Sequence, residues 1–212
     1  MDLGELRREY TYGGVSKSDL DADPISQFIQ WFDIAKNAGV RDPSAMVVAT
    51  VNGDGRPSQR TVLLKYFDET GFVFFTNTGS TKAQEIAINA QVSLLFPWYE
   101  LDRQIIIRGD AEKVSAGDAA KYFLSRPKDS QIAAWISEQS RPVVSRKILA
   151  AKFSEMKNKL ADGEMPVPFS WGGYRIKPVT MEFWQGRESR LHDRFLYSQS
   201  ITSEWSVERL EP

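Results

Sequence analysis

The spacing of apolar residues separates a helical beginning from a longer region of short strands. In the first part, apolar residues recur at helical spacing behind Asp23, a candidate N-cap, and Pro24, which suits the first helical position. Gly39 is expected to end this helix. The polar residues 1–20 are expected to form a mobile N-terminal arm, and residues 21–212 a single domain.

The region that follows predicts strands joined by turns. Residues 45–77 predict a meander of three antiparallel strands, AMVVATV, PSQRTVLLKYF and FVFFTN, separated by the turns NGDG and DETG. A short helix is expected over GSTKAQEIAINA, followed by two strands in VSLLFPWY and DRQIIIRGDAEKV.

The second half of the chain mixes helices and strands. Pro127 is expected to divide two helices, and residues 143–160 to form a third helical stretch. The chain then returns to strands in GGYRIKP, VTMEFWQG, SRLHDRFLY and EWSVERL. Because helices and strands do not alternate regularly, the pattern predicts a mainly β protein, an antiparallel sheet or barrel with flanking helices.

Composition removes several classes of function. The 212 residues include 27 Lys and Arg against 28 Asp and Glu, a formal net charge of −1, which argues against a nucleic-acid-binding protein. The chain has no cysteine and a single histidine, His192, which excludes thiolate chemistry and cysteine-ligated metals, and no metal site is predicted. Without a signal-peptide core or a bilayer-length apolar run, we expect a cytoplasmic protein that makes no membrane contact.

The segment RLHDR is the first candidate for ligand binding. On a strand, Arg190, His192 and Arg194 would share one face. Two guanidinium groups beside an imidazole favour a bound anion or electron-rich ligand, although a solvent-exposed charged strand fits the same pattern. Trp184 precedes this segment closely enough to stack against a planar ligand.

Two earlier segments carry candidate anion-binding cations. Arg60 and Lys65 lie five positions apart, so they fall on opposite faces of an ideal strand. They would serve one ligand only at a bulge, a strand end or an interface, and two surface cations are the alternative. The helix start GSTKA combines free N–H groups with Lys82, an arrangement that is also common where no ligand binds.

A third group suits a phosphate monoester. Tyr122 and Arg126 are four positions apart on a predicted helix, hence on one face, and Ser130 lies just beyond Pro127 near the next helix start. Each also has a simpler interpretation, Tyr122 as a half-buried helix residue and Arg126 as a solvated charge near a helix end.

Segments along nearly the whole chain resemble the pyridoxine/pyridoxamine 5′-phosphate oxidase family, whose fold is the FMN-binding split barrel. The matching segments are LRREYTYGG, DPSAMVVATV, QRTVLLK, FTNTGSTKA, VSLLFPW, RQIIIRG, YFLSRPKDSQIAAWISEQS, WGGYRI, EFWQGR and RLHDRF. Each segment alone is weak evidence for the family, but ten such segments in the family's order are specific for it. The resemblance implies FMN-dependent oxidation of pyridoxine or pyridoxamine 5′-phosphate to pyridoxal 5′-phosphate, with O2 as electron acceptor and H2O2 as product. It also implies a homodimer with FMN at the subunit interface.

The resemblance implies particular site residues. The expected FMN contacts are Arg60, Thr61, Val62, Leu63, Leu64, Lys65, Phe75, Thr76, Lys82, Gln104, Gln139, Ser140, Trp184 and Arg194. The expected contacts of the substrate phosphate are Lys65, Tyr122, Arg126 and Ser130. Arg190 and His192 would lie over the substrate ring as the catalytic residues. The segment Arg7, Arg8, Glu9 and Tyr10 of the arm would contact the substrate as a lid.

This chain departs from the family pattern at three positions. Thr81 stands where Arg is usual, and Phe75 stands where Tyr is usual, so the expected FMN site lacks one cation and one hydroxyl. Ala133 replaces a usual Gly, which stiffens a helix.

Two other functions remain open. One is a non-catalytic split-barrel protein that carries or senses flavin or pyridoxal phosphate, against which the intact RLHDR segment argues. The other is a split-barrel reductase for a different flavin-like or haem ligand, which has no need for Tyr122, Arg126 and Ser130 together.

Overall fold

The computed structural model describes residues 1, 3–5, 8–11, 13–159 and 165–212. The helices in this part of the chain are α1 (Pro24–Asn37), α2 (Thr81–Ile88), α3 (Ala116–Ser125), α4 (Lys128–Ile136) and α5 (Arg146–Lys159). The strands are β1 (Ala45–Val51), β2 (Pro57–Leu63), β3 (Tyr66–Asp68), β4 (Gly71–Asn77), β5 (Gln91–Trp98), β6 (Arg103–Lys113), β7 (Trp171–Gln185), β8 (Asp193–Gln199) and β9 (Trp205–Leu210). The mainly β prediction with flanking helices is confirmed.

Helix α1 begins and ends where local sequence signals predict. The Asp23 carboxylate accepts a hydrogen bond from the Ser26 N–H at 2.9 Å, and Pro24 is the first helical residue. After the helix, Gly39 adopts a φ of +73°, the left-handed conformation that stops a helix at low cost.

The sheet is antiparallel throughout, and its central strands follow the order β2-β1-β5-β6-β7-β4-β3. The two ends of this order, β2 and β3, are consecutive in the chain and are separated by Leu64 and Lys65. The Leu64 N–H donates to the Ser44 carbonyl beside β1, whereas the Lys65 N–H donates to the Val73 carbonyl of β4, both at 2.8 Å. The chain therefore changes neighbours between these two residues, and the sheet curls into a barrel.

This change of neighbours corrects one prediction. The run PSQRTVLLKYF was expected to be a single strand, but it forms two, because one straight strand cannot pair with β1 along its first half and with β4 along its second. The break places Lys65 at a strand end, one of the arrangements in which Arg60 and Lys65 can face one ligand.

Strand β7 corrects a second prediction. GGYRIKP and VTMEFWQG were expected to be separate strands, yet β7 continues through Pro178 for 15 residues. A bulge in β7 accommodates the irregularity: Gly109 pairs with Pro178 and Arg108 with Thr180, so Val179 is the extra residue. Gly109 is required there, because a Cβ at this position would lie 1.9 Å from the Lys177 carbonyl oxygen.

The segment before β8 corrects a third. A strand was expected over SRLHDRFLY, but β8 begins only at Asp193, and Glu188–Arg190 form a 3-10 turn. Ser189 and Arg190 have φ values of 55° and 63°, which no strand can contain. The proposed shared strand face of Arg190, His192 and Arg194 is therefore wrong.

Aromatic side chains fill the barrel. The Phe28 ring of α1 enters it and meets Phe67, Phe72 and Phe96 at centroid distances of 5.0, 4.9 and 5.1 Å. A smaller apolar cluster lies under the helices α3–α5 around Phe123 and Ile132. In the part of the chain that the structure describes, no helix is both long and apolar enough to cross a membrane.

Candidate functional site

A cavity of about 910 Å³ opens between the barrel wall and the helices α2, α3 and α4. It is lined by most of the residues expected at the cofactor and the substrate phosphate: Arg60, Thr61, Val62, Leu63, Lys65, Phe75, Thr76, Lys82, Tyr122, Arg126, Ser130, Gln139 and Ser140. These residues come from distant parts of the chain, and the fold brings them to one place. Leu64 instead points into the core, with 6% of its surface exposed.

The charge of the lining selects the class of ligand. Arg60, Lys65, Lys82 and Arg126 line the cavity, and among the described residues no carboxylate does. Arg60 is paired with Glu85 behind the wall, but the cavity face of the four cations carries no carboxylate, so an anion bound between them would reduce their repulsion. The cavity is therefore suited to anionic groups such as phosphates.

Lys82 is the most deeply buried of these cations, with 6% of its surface exposed. Within the described residues its ammonium donates only to neutral oxygens: Thr76 Oγ1 at 3.0 Å, Gln139 Oε1 at 3.0 Å and Ser80 Oγ at 3.3 Å. Burial, together with the nearby charge of Arg60, lowers the pKa of Lys82 to about 8, while Glu85 opposes the shift. An anion in the cavity would compensate this buried charge.

A polar network behind the wall holds Arg60. Its guanidinium donates to the Thr50 hydroxyl, to Ser58 Oγ at 2.6 Å and to Glu85 Oε2 at 3.3 Å. Glu85 also accepts hydrogen bonds from Thr50 and Ser58. Burial alone would raise the pKa of Glu85, but these hydrogen bonds and the Arg60 charge outweigh it and lower that pKa.

The start of α2 completes this end of the cavity. The Thr81 N–H donates to Ser140 Oγ at 3.3 Å, and the N-cap Ser80 makes no side-chain cap bond. Ser140 itself has a φ of 70°, so a backbone conformation unusual for serine presents this hydroxyl to the helix start. Helix N–H groups, a hydroxyl and Lys82 together form a suitable phosphate cradle.

The other end of the cavity carries Tyr122, Arg126 and Ser130. Helix α3 ends at Ser125, so Arg126 lies just past the helix rather than on its face as predicted, yet it lines the same cavity as Tyr122. Ser130 lies in the first turn of α4, as predicted. Burial lowers the pKa of Arg126, and its buried Nη1 has no hydrogen-bond partner within the described residues.

Several wall residues were not predicted from the sequence. Trp171, Asn77, Ser137 and Ser170 also line the cavity, and the Asn77 amide donates to the Ser137 carbonyl at 3.1 Å and to Ser170 Oγ at 3.3 Å. No local pattern distinguishes these residues. Glu85 did have a signal, because it lies three positions after Lys82 and therefore on the same helix face.

The remaining expected residues form a second group outside this cavity. His192 lies 4.6 Å from the Trp184 ring and 5.3 Å from the Tyr10 ring, as centroid distances. The Arg190 guanidinium lies 5.6 Å from the centre of the Tyr10 ring, and Arg8 pairs with Asp102. Part of the N-terminal arm thus contacts the expected catalytic residues.

The same region contains the other expected residues. Gln104 pairs with Trp184 across β6 and β7, and Arg194 donates to Glu182 Oε1 at 2.8 Å. Glu9 is exposed, and Arg7 lies outside the described residues.

The two groups lie at opposite ends of β7. Gly173 pairs with Phe75 of the cavity, and Trp184 lies eleven positions further along the strand. Eleven residues of extended strand span roughly 36 Å. One chain therefore does not bring its two groups of expected residues into a single site.

The His192 ring is held in one protonation state. The Arg187 main-chain N–H donates to His192 Nδ1 at 3.1 Å, so the neutral ring carries its proton on Nε2. Burial and the charges of Arg190 and Arg194 lower the pKa of His192, while Asp193 opposes them. Burial and the two guanidinium charges therefore favour the neutral Nε2–H form.

The fold and the cavity define a class: a split barrel with a cationic cavity suited to phosphate-bearing ligands. A family model described as pyridoxamine 5′-phosphate oxidase matches residues 32–160, and one described as the pyridoxine 5′-phosphate oxidase C-terminal dimerisation region matches residues 171–212. The chain belongs to the pyridoxamine 5′-phosphate oxidase family.

Individual proteins agree with this assignment. Pyridoxine/pyridoxamine 5′-phosphate oxidases of Shewanella denitrificans and Hahella chejuensis are each 56% identical, covering all of this chain and 99% and 100% of those proteins. The structure of PhzG from Burkholderia lata 383, in complex with tetrahydrophenazine-1-carboxylic acid, is 31% identical and has a TM-score of 0.87, covering 92% of this chain and 95% of that one. A pyridoxamine 5′-phosphate oxidase-related, FMN binding protein from Nostoc punctiforme, 18% identical with a TM-score of 0.75, covers 91% of this chain and 100% of that one and shares the fold.

Proposed function

We propose that this chain oxidises pyridoxine 5′-phosphate or pyridoxamine 5′-phosphate to pyridoxal 5′-phosphate, with FMN as cofactor, O2 as electron acceptor and H2O2 as product. The observation that carries the proposal is one cavity with a cation near each end, Lys82 at one and Arg126 at the other, where two phosphate groups would fit. A phosphorylated cofactor and a phosphorylated substrate together require such an arrangement. The cytoplasmic location stays a prediction.

The Lys82 end fits the phosphate of FMN. Lys82, the start of α2 and Ser140 supply an ammonium, N–H groups and a hydroxyl, and Arg60 adds a second cation fixed by Glu85. The backbone from Thr61 to Leu63 would lie along the flavin. When bound, FMN accepts a hydride equivalent from the substrate and returns to its oxidised form by reducing O2.

The Arg126 end fits the phosphate of the substrate. Arg126 has a buried Nη1 without a partner within the described residues, and Tyr122 and Ser130 add hydroxyl groups beside it. Lys65, exposed at the break between β2 and β3, would serve both ligands, as expected where substrate stacks on cofactor. A phosphate would satisfy the buried guanidinium through charge-assisted hydrogen bonds.

A homodimer completes the site. Trp184, Arg190, His192 and Arg194 lie at the far end of β7 from the cavity, so a partner subunit would supply them. The match of residues 171–212 to a dimerisation region supports this arrangement.

The chain's own groups would bind and orient rather than exchange protons. Arg190 would orient the substrate ring and stabilise charge that develops as hydride leaves. His192, fixed as the Nε2–H form, would donate a hydrogen bond to the substrate and would not act as an acid. Arg8 and Tyr10 would cover the ring as part of the lid, together with Arg7 and Glu9.

A direct assay tests the function. The purified protein should be yellow or become so with added FMN, and it should release peroxide when given pyridoxine 5′-phosphate. Arg126→Ala should raise KM about tenfold or more while FMN occupancy stays unchanged, because a charge-assisted phosphate contact contributes roughly 1.5–3 kcal/mol. A protein that stays colourless and inactive with FMN refutes the oxidase, and flavin binding without peroxide favours a carrier or sensor.

A further inference from the structure

The geometry points to Trp171 as the residue that positions Arg126 for the substrate phosphate, a role that rests on the proposed function. Trp171 begins β7 and lines the cavity without carrying a group that itself binds phosphate. It is a positioning residue. Replacing it should weaken the binding of phosphorylated ligands more than the binding of ligands without a phosphate.

The indole is the group that orients the Arg126 guanidinium. The guanidinium carbon lies 4.4 Å from the centre of the Trp171 ring, within the range of a cation–π contact. The main chain of Arg126 is held separately, because its carbonyl accepts a hydrogen bond from Gln131 Nε2 at 2.8 Å. Its buried Nη1 has no hydrogen-bond partner within the described residues, so the indole is the neighbour left to orient the guanidinium.

Contact with an aromatic ring suits this task because it covers one face of the guanidinium and leaves the N–H groups at its edge free to donate to a phosphate. A guanidinium carries all its N–H donors in its plane, so an aromatic ring against one face blocks none of them. The plane held by Trp171 therefore determines the direction in which Arg126 can donate to a phosphate. Burial makes the orientation important, since a misdirected guanidinium here cannot recover its hydrogen bonds from bulk water.

Trp171 is itself held by the helix that precedes Arg126. Its Nε1–H donates to the Ala119 carbonyl of α3 at 3.0 Å. Helix α3 also carries Tyr122 and ends immediately before Arg126. The hydrogen bond thus fixes the indole relative to α3, which carries Tyr122 and leads directly into Arg126.

The same indole belongs to a parallel stack of three rings. Phe75 and Tyr122 stack with centroids 4.1 Å apart and planes inclined by 14°. Trp171 lies 6.3 Å from Tyr122 and 6.1 Å from Phe75, with angles of 17° and 4°. One ring system therefore orients both Tyr122 and Arg126, and losing Trp171 should weaken phosphate recognition specifically.

The experiment compares phosphorylated and unphosphorylated ligands on the FMN-loaded protein. The variants are Trp171→Leu, which removes the aromatic face, and Trp171→Phe, which keeps a face but loses the bond to Ala119. Trp135→Leu is the matched control, because Trp135 is also half-buried against the Phe123 cluster but does not line the cavity. The probes are 4-deoxypyridoxine 5′-phosphate and 4-deoxypyridoxine, which lack the reacting group and are titrated by calorimetry, and KM and kcat are measured with pyridoxine 5′-phosphate.

Trp171→Leu should raise the Kd of the phosphorylated analogue and the KM roughly three- to thirtyfold, the range from an exposed to a desolvated cation–π contact. The Kd of the unphosphorylated analogue, kcat and FMN occupancy should stay within about twofold. Trp171→Phe should restore most of the affinity, and Trp135→Leu should leave the ratio of the two Kd values unchanged.

Three results overturn the role. Equal losses for both analogues would show a general structural effect. A Phe variant as defective as the Leu variant would show that the bond to Ala119, not the ring face, matters. An unchanged ratio in Trp171→Leu would show that Arg126 needs no stacking partner. If the wild-type protein lacks oxidase activity, the proposed function fails, while the two titrations still report whether Trp171 controls phosphate binding.

Discussion

The Arg187 main-chain N–H donates a hydrogen bond to Nδ1 of His192 at 3.1 Å, and this contact decides which imidazole nitrogen faces outward as a donor. The turn that makes the contact contains Ser189 and Arg190 in left-handed backbone conformations. A backbone conformation costly for these residue types thus holds the histidine of the candidate catalytic pair.

His192 should titrate below the ordinary histidine range. Burial and the charges of Arg190 and Arg194 both favour the neutral ring, so its pKa should lie below 6.5. NMR of the imidazole nitrogens measures this directly, since the chain has a single histidine. Arg190→Gln should move the pKa upward by removing one cation. A proton found on Nδ1, or a wild-type pKa above 6.5, would contradict the assignment.

FMN affinity should fall as the pH rises through the pKa of Lys82. That pKa is lowered to about 8, so the free site loses this positive charge above pH 8. The Kd for FMN should therefore rise about tenfold between pH 7 and pH 9, in proportion to the lost ammonium fraction. Flavin fluorescence titration measures it. Riboflavin, which has no phosphate, should show a much weaker trend, and Lys82→Met should abolish the difference; equal pH trends for both flavins would disprove the phosphate contact.

Thr81→Arg should tighten FMN binding severalfold. Thr81 lines the cavity at the start of α2, and an arginine there would add a bidentate charge to the phosphate cradle. Because the position is exposed, the gain should be about 1 kcal/mol. Lys17 and Arg146 would compensate for the missing arginine if they faced the phosphate, but neither lines the cavity. Titration of FMN into both apoproteins decides the question, and equal or weaker binding by the variant would count against a missing cation.

Removing Glu85 should destabilise the fold. Its carboxylate is buried and accepts hydrogen bonds from Thr50, Ser58 and Arg60, so Glu85→Ala leaves a partly buried guanidinium without its counter-charge. Breaking such a pair costs about 3 kcal/mol, or roughly 6–12 °C in Tm for a chain of this size. Glu112→Ala, which removes an exposed partner of Lys177, is the control and should change stability by less than about 1 kcal/mol. Similar Tm values for both variants would show that the buried network contributes little.

Local sequence signals were sufficient where one segment interacts mainly with itself. The boundaries of α1 follow from Asp23, Pro24 and Gly39, because capping and left-handed stops involve only neighbouring residues. The β-branched, apolar run AMVVATV likewise predicts β1, in which every second residue is buried. The residue patterns supplied the cations of the cavity, and the family resemblance added further lining residues, including Thr76, Gln139 and Ser140.

The tertiary structure decided the features that depend on contacts between residues far apart in the sequence. The break at Leu64 and Lys65 exists because two different strands pair on either side of it, and β7 continues past Pro178 because a bulge at Val179 restores its pairing with β6. Gln139 meets Lys82 across 57 residues of chain, and no periodicity encodes such a contact. The sequence by itself thus determined most helices and strands and the chemical types available, whereas long-range pairing decided where three of the strands break, join or begin and which groups face one another.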